Sequence, residues 1–265
     1  MRVFLIGIIV GLAPMAIAGP VTPKDIALTE IATSPQLSPN GEHIAWTRVV
    51  PQNPIDGKDG AAQTELHVVD LAGKDRLFVK DGSPRAASWT ADSKALTFLT
   101  KRNGDDGTAL YRIAVDGGEA ERLFGYKRSI SAYSMSPDGT RVAFLSAEEG
   151  DNGAGGMAKK GFDQTIYEED RGLTKAYVAT IGKDDVKELP LTGSASAIVW
   201  APKGEHVAVT AAPTALVDDK YMESKVFVFD ARANALVGKI ENPGKLDGVS
   251  FNPKGDTLAI VSGAD

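Results

Sequence analysis

The chain has 265 residues, 43% hydrophobic and 24% charged, so it can bury a full-sized core and is not disordered by composition. A net charge of −6 argues against a nucleic-acid partner, because phosphate binding needs a basic surface. The absence of cysteine excludes disulfides, thiolate chemistry and cysteine-ligated zinc.

Residues 1–18 read as a secretory signal. Arg2 supplies the positive start, Val3–Leu12 the apolar stretch, and Ala16-Ile17-Ala18 an A-x-A site with cleavage before Gly19. The stretch is shorter than the ~20 residues a membrane span needs, so no membrane attachment is expected after cleavage. An exported, acidic, cysteine-free protein fits a bacterial periplasm or secretion. Residues 19–34 form a lead-in segment, in which Pro23, Asp25 and the Ile26/Leu28/Ile31 spacing suggest a short helix or a lead-in strand.

From residue 35 onward one phrase recurs. Its clearest copy is Ala132–Ser146, in which Ser136-Pro137-Asp138-Gly139 turns between two apolar runs. Asp-Gly between such runs signals a hairpin, because glycine accepts the positive φ of a tight turn. With the Pro137 position as zero, the counterparts are Pro39, Ala91, Pro202 and Pro253. Position −2 is large and apolar throughout: Leu37, Trp89, Met135, Trp200 and Phe251. Position +2 is Gly41, Ser93, Gly139, Gly204 and Gly255. Positions +5 to +7 read Ile44-Ala45-Trp46, Leu96-Thr97-Phe98, Val142-Ala143-Phe144, Val207-Ala208-Val209 and Leu258-Ala259-Ile260. The spacing of about 46–65 residues approaches the period of propeller blades.

Each unit reads as four strands, A to D, with blades near 35–80, 85–124, 131–190, 195–240 and 247–265. The predicted fold is an all-β propeller of four-stranded antiparallel blades, four complete and half of a fifth, truncated and not closed. Large residues at +5 and +7 with a small one at +6 suit a sheet buried on both faces. By strand parity the A–B and C–D turns share one end of the blades, and the B–C loops and D–A links share the other. Three B–C loops are long, at Val50–Thr64, Glu148–Thr174 and Ala211–Ser224, so that end is the predicted contact face.

Candidate chemistry is sparse. Gly248-Val249-Ser250-Phe251-Asn252 lacks the last glycine of a nucleophile elbow and lies on a repeat strand, which makes it core. Gly153-Ala154-Gly155-Gly156 does not sit between a strand and a helix, as a phosphate loop would. Neither Asp56/Asp59 nor Asp105/Asp106 has calcium-loop spacing. His43 and His206 share a repeat column, which implies a shared structural role on adjacent strands, and Trp46, Trp89 and Trp200 read as blade packing. No catalytic residue, metal site or cofactor is expected. The candidate binding cluster is Tyr167-Glu168-Glu169, next to Asp170 and Arg171, whose adjacent carboxylates could hold a peptide's free amine through charge-assisted hydrogen bonds.

The Ser-Pro-Asp-Gly phrase followed by Val142-Ala143-Phe144 resembles the TolB-type, WD40-like propeller repeat. Val21–Trp46 looks like the start of exported serine peptidases of the prolyl oligopeptidase family, with acylaminoacyl-peptidase-like and dipeptidyl-peptidase-like members. The resemblance implies a substrate-gating propeller placed before an α/β-hydrolase domain that carries the Ser, Asp and His, positions this chain lacks. It also implies that Glu168 and Glu169, after Tyr167, resemble the glutamate pair that holds the substrate's amino terminus in the dipeptidyl-peptidase branch. The expected partners are that hydrolase domain and short peptides. The alternative is a TolB-like periplasmic scaffold with a protein or cell-envelope partner.

Overall fold

The structure is a computed structural model that describes residues 19–55, 57, 60–148, 160–161, 172–242 and 244–263. The lead-in, expected to be a short helix or a strand, contains a helix and the start of a strand. Helix α1 (Pro23–Ala27) starts from a capping box, in which Thr22 and Asp25 satisfy each other's backbone N–H groups. Strand β1 (Ile31–Leu37) then begins the first blade.

Five antiparallel sheets follow in chain order. Blade one is β1, β2 (His43–Val50), β3 (Gln63–Asp70) and β4 (Asp75–Val79). Blade two is β5 (Arg85–Trp89), β6 (Ala95–Thr100), β7 (Ala109–Ala114) and β8 (Glu121–Phe124). Blade three is β9 (Ile130–Met135), β10 (Arg141–Ala147), β11 (Thr174–Thr180) and the two-residue β12 (Lys187–Glu188). Blade four is β13 (Ser194–Trp200), β14 (His206–Ala212), β15 (Lys225–Asp230) and β16 (Ala235–Ile240), with helix α2 (Val217–Met222) inside its B–C connection. The half-blade is β17 (Leu246–Phe251) paired with β18 (Leu258–Ser262). Within each sheet the strands lie in sequence order, the up-and-down arrangement of a propeller blade. First strands of neighbouring blades touch each other, β1 with β5 and β9 with β13, so strand A lies toward the axis and strand D toward the rim.

The repeat columns now acquire directions. Leu96 and Phe98, at +5 and +7 of blade two, pack with Leu66 and Val68 of blade one. Val142 and Phe144 of blade three pack with Leu99, Leu110 and Phe124 of blade two. Val207 and Val209 of blade four pack with Leu145 and Val178 of blade three. The large columns therefore face the preceding blade. The small +6 residues Ala45 and Ala143 face the following one, where a larger side chain would hold the sheets apart. Each fully buried large side chain at these joints contributes about 1.5–3 kcal/mol.

The A–B turns of blades one to three and of the half-blade share one backbone hydrogen-bond pattern, of which the blade-four turn keeps only Ala201 N to His206 O. In the clearest copy Ser136 N donates to Arg141 O at 2.9 Å, and Gly139 N donates to Ser136 O at 2.9 Å. Ser136 Oγ donates to Asp138 Oδ1 at 2.6 Å and accepts from Arg141 N at 2.9 Å. These bonds, with the Thr140 N–H, hold the Asp138 carboxyl down at about 2. Position +2 has left-handed φ in every copy, from 60° to 81°, and four of the five are glycine. Ser93 is the exception, and its Oγ accepts from Asn40 N at 3.0 Å, linking blades one and two.

Every first strand also carries one extra residue near its start. Thr33 pairs with Thr47 and Gln36 with Ala45, leaving two residues opposite one, and Arg85–Ser88 repeats this in blade two. In the later blades Ser131, Ser196 and Asp247 are the unpaired residues. A bulge re-aims the side chain it carries. All five lie at the B–C end of the innermost strand.

Candidate functional site: clefts at the B–C end of the blades

The sequence-derived cluster Tyr167, Glu168 and Glu169 lies outside the described residues, as do Gly153–Gly156, Asp56 and Asp59. Asp105 is committed elsewhere: its carboxylate takes Arg122 Nε at 3.0 Å, Tyr111 OH at 2.8 Å and Arg102 N at 3.0 Å, which ties the B–C loop of blade two to strands β7 and β8.

His43 and His206 do share a structural position, but in blades one and four, which are not neighbours. Each opens strand B opposite an aspartate, Asp70 or Asp230, whose carboxylate caps the next turn. The Ala233 N–H foremost, then the Arg232 N–H and the nearby His206 and Arg232, holds Asp230 below the usual carboxylate range.

The tryptophans divide. Trp200 is buried in the joint between blades three and four, with the Arg141 guanidinium 4.9 Å above its ring. Trp89 packs on the blade-one joint and donates to Gln36 O at 3.0 Å. Trp46, in the same column as Phe98, has no preceding blade among the described residues. It stacks on His67, with centroids 4.6 Å apart, and donates to Asp75 at 3.0 Å. His67 Nδ1 lies 2.7 Å from Asp75, while Glu65 faces Arg48 and Lys80 at 3.5 Å each.

Among the described residues, two regions stand out as concave surface. The first, about 690 Å³, lies at the rim between blades two and three. Its aromatic and arginine side chains are engaged in the joint. Tyr126, Phe144 and Tyr177 pack together with centroids 5.2 Å apart, Phe144 stacked on Tyr177 and Tyr126 edge-on to Phe144. Arg128 donates to Tyr177 OH at 3.0 Å, and burial foremost pushes that phenol up to about 12. The Arg128 and Lys127 cations lie over the Tyr126 ring, and Arg122 is bound to Asp105.

The second region is at the B–C end, on the predicted contact face. A cleft of about 540 Å³ runs between blades three and four, lined by Ser131, Thr174, Ser194, Ser196, Lys220 and Tyr221 among others. A smaller one of about 240 Å³ continues between blade four and the half-blade, lined by Ala208, Leu246, Asp247 and Val249. Ser196, Lys220 and Tyr221 border both. Helix α2 places the last two: Thr214 Oγ1 holds Asp219 at 2.6 Å, and Ser224 Oγ closes on Lys220 O at 2.6 Å. Three bulged side chains, Ser131, Ser196 and Asp247, enter these clefts. The sequence did contain a signal for them. Six residues before the Pro column stand Thr33, Arg85, Ser131, Ser196 and Asp247, polar in all five copies.

No protein-family model and no curated protein matches this chain. Solved structures match its fold. A TolB from Acinetobacter baumannii is similar at 19% identity and a TM-score of 0.53, over 86% of this chain and 48% of that one. A putative TolB from Agrobacterium tumefaciens is similar at 13% identity and a TM-score of 0.54, over 88% of this chain and 91% of that one. An acylaminoacyl peptidase from Pyrococcus horikoshii is similar at 11% identity and a TM-score of 0.52, over 78% of this chain and 32% of that one. The chain thus spans about half the length of the A. baumannii protein and about a third of the peptidase. The architecture is a partial propeller of the kind found in TolB and in such peptidases.

Proposed function

We propose that this chain is the non-catalytic, substrate-gating propeller of a secreted or periplasmic serine peptidase of the prolyl oligopeptidase family, whose α/β-hydrolase domain lies outside these 265 residues. The observation that carries the reading is the pairing of a peptidase-like opening, Val21–Trp46, with clefts at the B–C end of the blades. The fold likeness to the P. horikoshii peptidase supports it. Short peptides would be admitted through the channel mouth and the bond cleaved elsewhere. Tyr167, Glu168 and Glu169 remain the proposed amine-binding trio of the blade-three insertion. Signal cleavage before Gly19 would release the mature chain outside the cytoplasm.

Two assays test this. The 265-residue chain should release no product from chromogenic acyl- or aminoacyl-peptide substrates. The polypeptide encoded by the whole open reading frame should cleave them and lose that activity to a serine-directed phosphonate. Turnover by the 265 residues alone overturns the assignment, as does an open reading frame with no hydrolase domain. A second reading, a TolB-like periplasmic scaffold, is favoured by the likeness to the A. tumefaciens TolB, which this chain covers almost entirely. More repeats followed by a stop codon would select it.

A further inference from the structure

Lys220 and Asp247 border the smaller cleft, are both exposed, and have opposite charges. Yet neither makes an ion pair with the other or with any described residue. The carboxylates nearest in sequence to Lys220 do not take it either: Asp219 is bound by Thr214, and Asp218 and Glu223 make no ion pair among the described residues. Asp247 is aimed by its bulge, since it is the unpaired residue between Leu246 and Gly248. Leu246 and Val249 flank it with apolar surface. Beyond Ser196 the larger cleft offers the hydroxyls of Ser131, Thr174 and Ser194. One anion, one cation, an apolar wall and a run of hydroxyls form a surface complementary to a zwitterion with amide groups.

We infer that the paired clefts bind a di- or tripeptide with both ends free. Asp247 receives the α-ammonium, Leu246 and Val249 contact the first side chain, the Ser196 hydroxyl meets a backbone amide, and Lys220 takes the α-carboxylate. That the ligand is a peptide, rather than another zwitterion, rests on the gating function proposed above. The site is formed by residues of the propeller itself. It would hold products or short substrates at the B–C end of the blades.

The test is titration of the 265-residue chain with trialanine, N-acetyl-trialanine and trialanine amide, followed by ¹H–¹⁵N NMR. Trialanine should shift the amides of Ser196, Tyr221 and Asp247, and blocking either end should weaken binding at least about tenfold, the worth of one charge-assisted hydrogen bond. Asp247→Asn should abolish discrimination against the acetylated peptide, and Lys220→Met discrimination against the amide. Equal binding of blocked and free peptides, shifts confined to other residues, or no binding at about 10 mM trialanine overturns the inference. The blocked peptides keep the test decisive on the unsubstituted chain if a variant misfolds. Failure here leaves peptidase activity of the complete polypeptide untouched, and absence of that activity leaves this binding result standing.

Discussion

Phe144 and Trp46 occupy the same repeat column and have opposite fates. Phe144 is fully buried at the joint between blades two and three, ringed by Phe124, Tyr126 and Tyr177. Trp46 lies half-exposed on the free face of blade one, over a histidine hydrogen-bonded to an aspartate. Leu37, in the −2 column that elsewhere packs backward, is 61% exposed on that same face, whereas Trp200 is 4% exposed. Column identity therefore fixes which way a side chain points, and the neighbouring blade fixes what burial is worth. At the joints hydrophobic area sets stability. On the free face a polar network of Arg48, Glu65, His67, Asp75 and Lys80 occupies the surface instead.

The largest expected effect breaks a joint. Phe144→Ala should cost about 3–5 kcal/mol in denaturant unfolding, and Trp46→Ala only about 1 kcal/mol, the scale of one lost hydrogen bond and partial burial. Equal costs would remove the distinction between joint and free face. Gly193→Ala comes next. Its φ is 97°, and a Cβ there would sit 2.1 Å from Ala212 O, so it should cost upward of about 2 kcal/mol and disturb the cleft at Ser194.

A smaller pair isolates the one non-glycine turn. Ser93→Ala keeps the left-handed strain and loses the bond to Asn40, for a cost of about 1 kcal/mol by thermal unfolding. Ser93→Gly loses the same bond but relieves the strain, so the two terms nearly cancel. The smallest effect is acid dependence. The Asp138 carboxyl titrates at about 2 when folded, against 3.8 ordinarily. The folded state binds this proton less readily, so its stabilisation is complete above about pH 4 and is lost as pH falls toward about 2. Asp138→Asn should flatten that part of the acid-unfolding curve.

Much of the architecture was legible because the turns repeat. Glycine at +2 and large residues at −2, +5 and +7 mark a hairpin whatever surrounds it, and the structure has a hairpin at each of the five copies. The direction of each column was not legible, since only the packing of Leu96 on blade one and Val207 on blade three reveals it. The clefts at the B–C end were hidden for a different reason. Lys220 and Asp247 are far apart in the chain, and they line one cleft only because α2 of the blade-four loop and the bulge in β17 both border it. The polar −6 column carried that information, but its residue types vary too widely to mark a motif.

Hydrogen exchange of the native chain, followed by mass spectrometry, tests the central claim that stability resides in the joints between consecutive blades. Strands β6, β10 and β14, each sandwiched between neighbouring sheets, should exchange last and together. Strands β1, β17 and β18 should exchange orders of magnitude sooner. Protection of β17 and β18 equal to that of β10, or five sheets exchanging independently of one another, would contradict it.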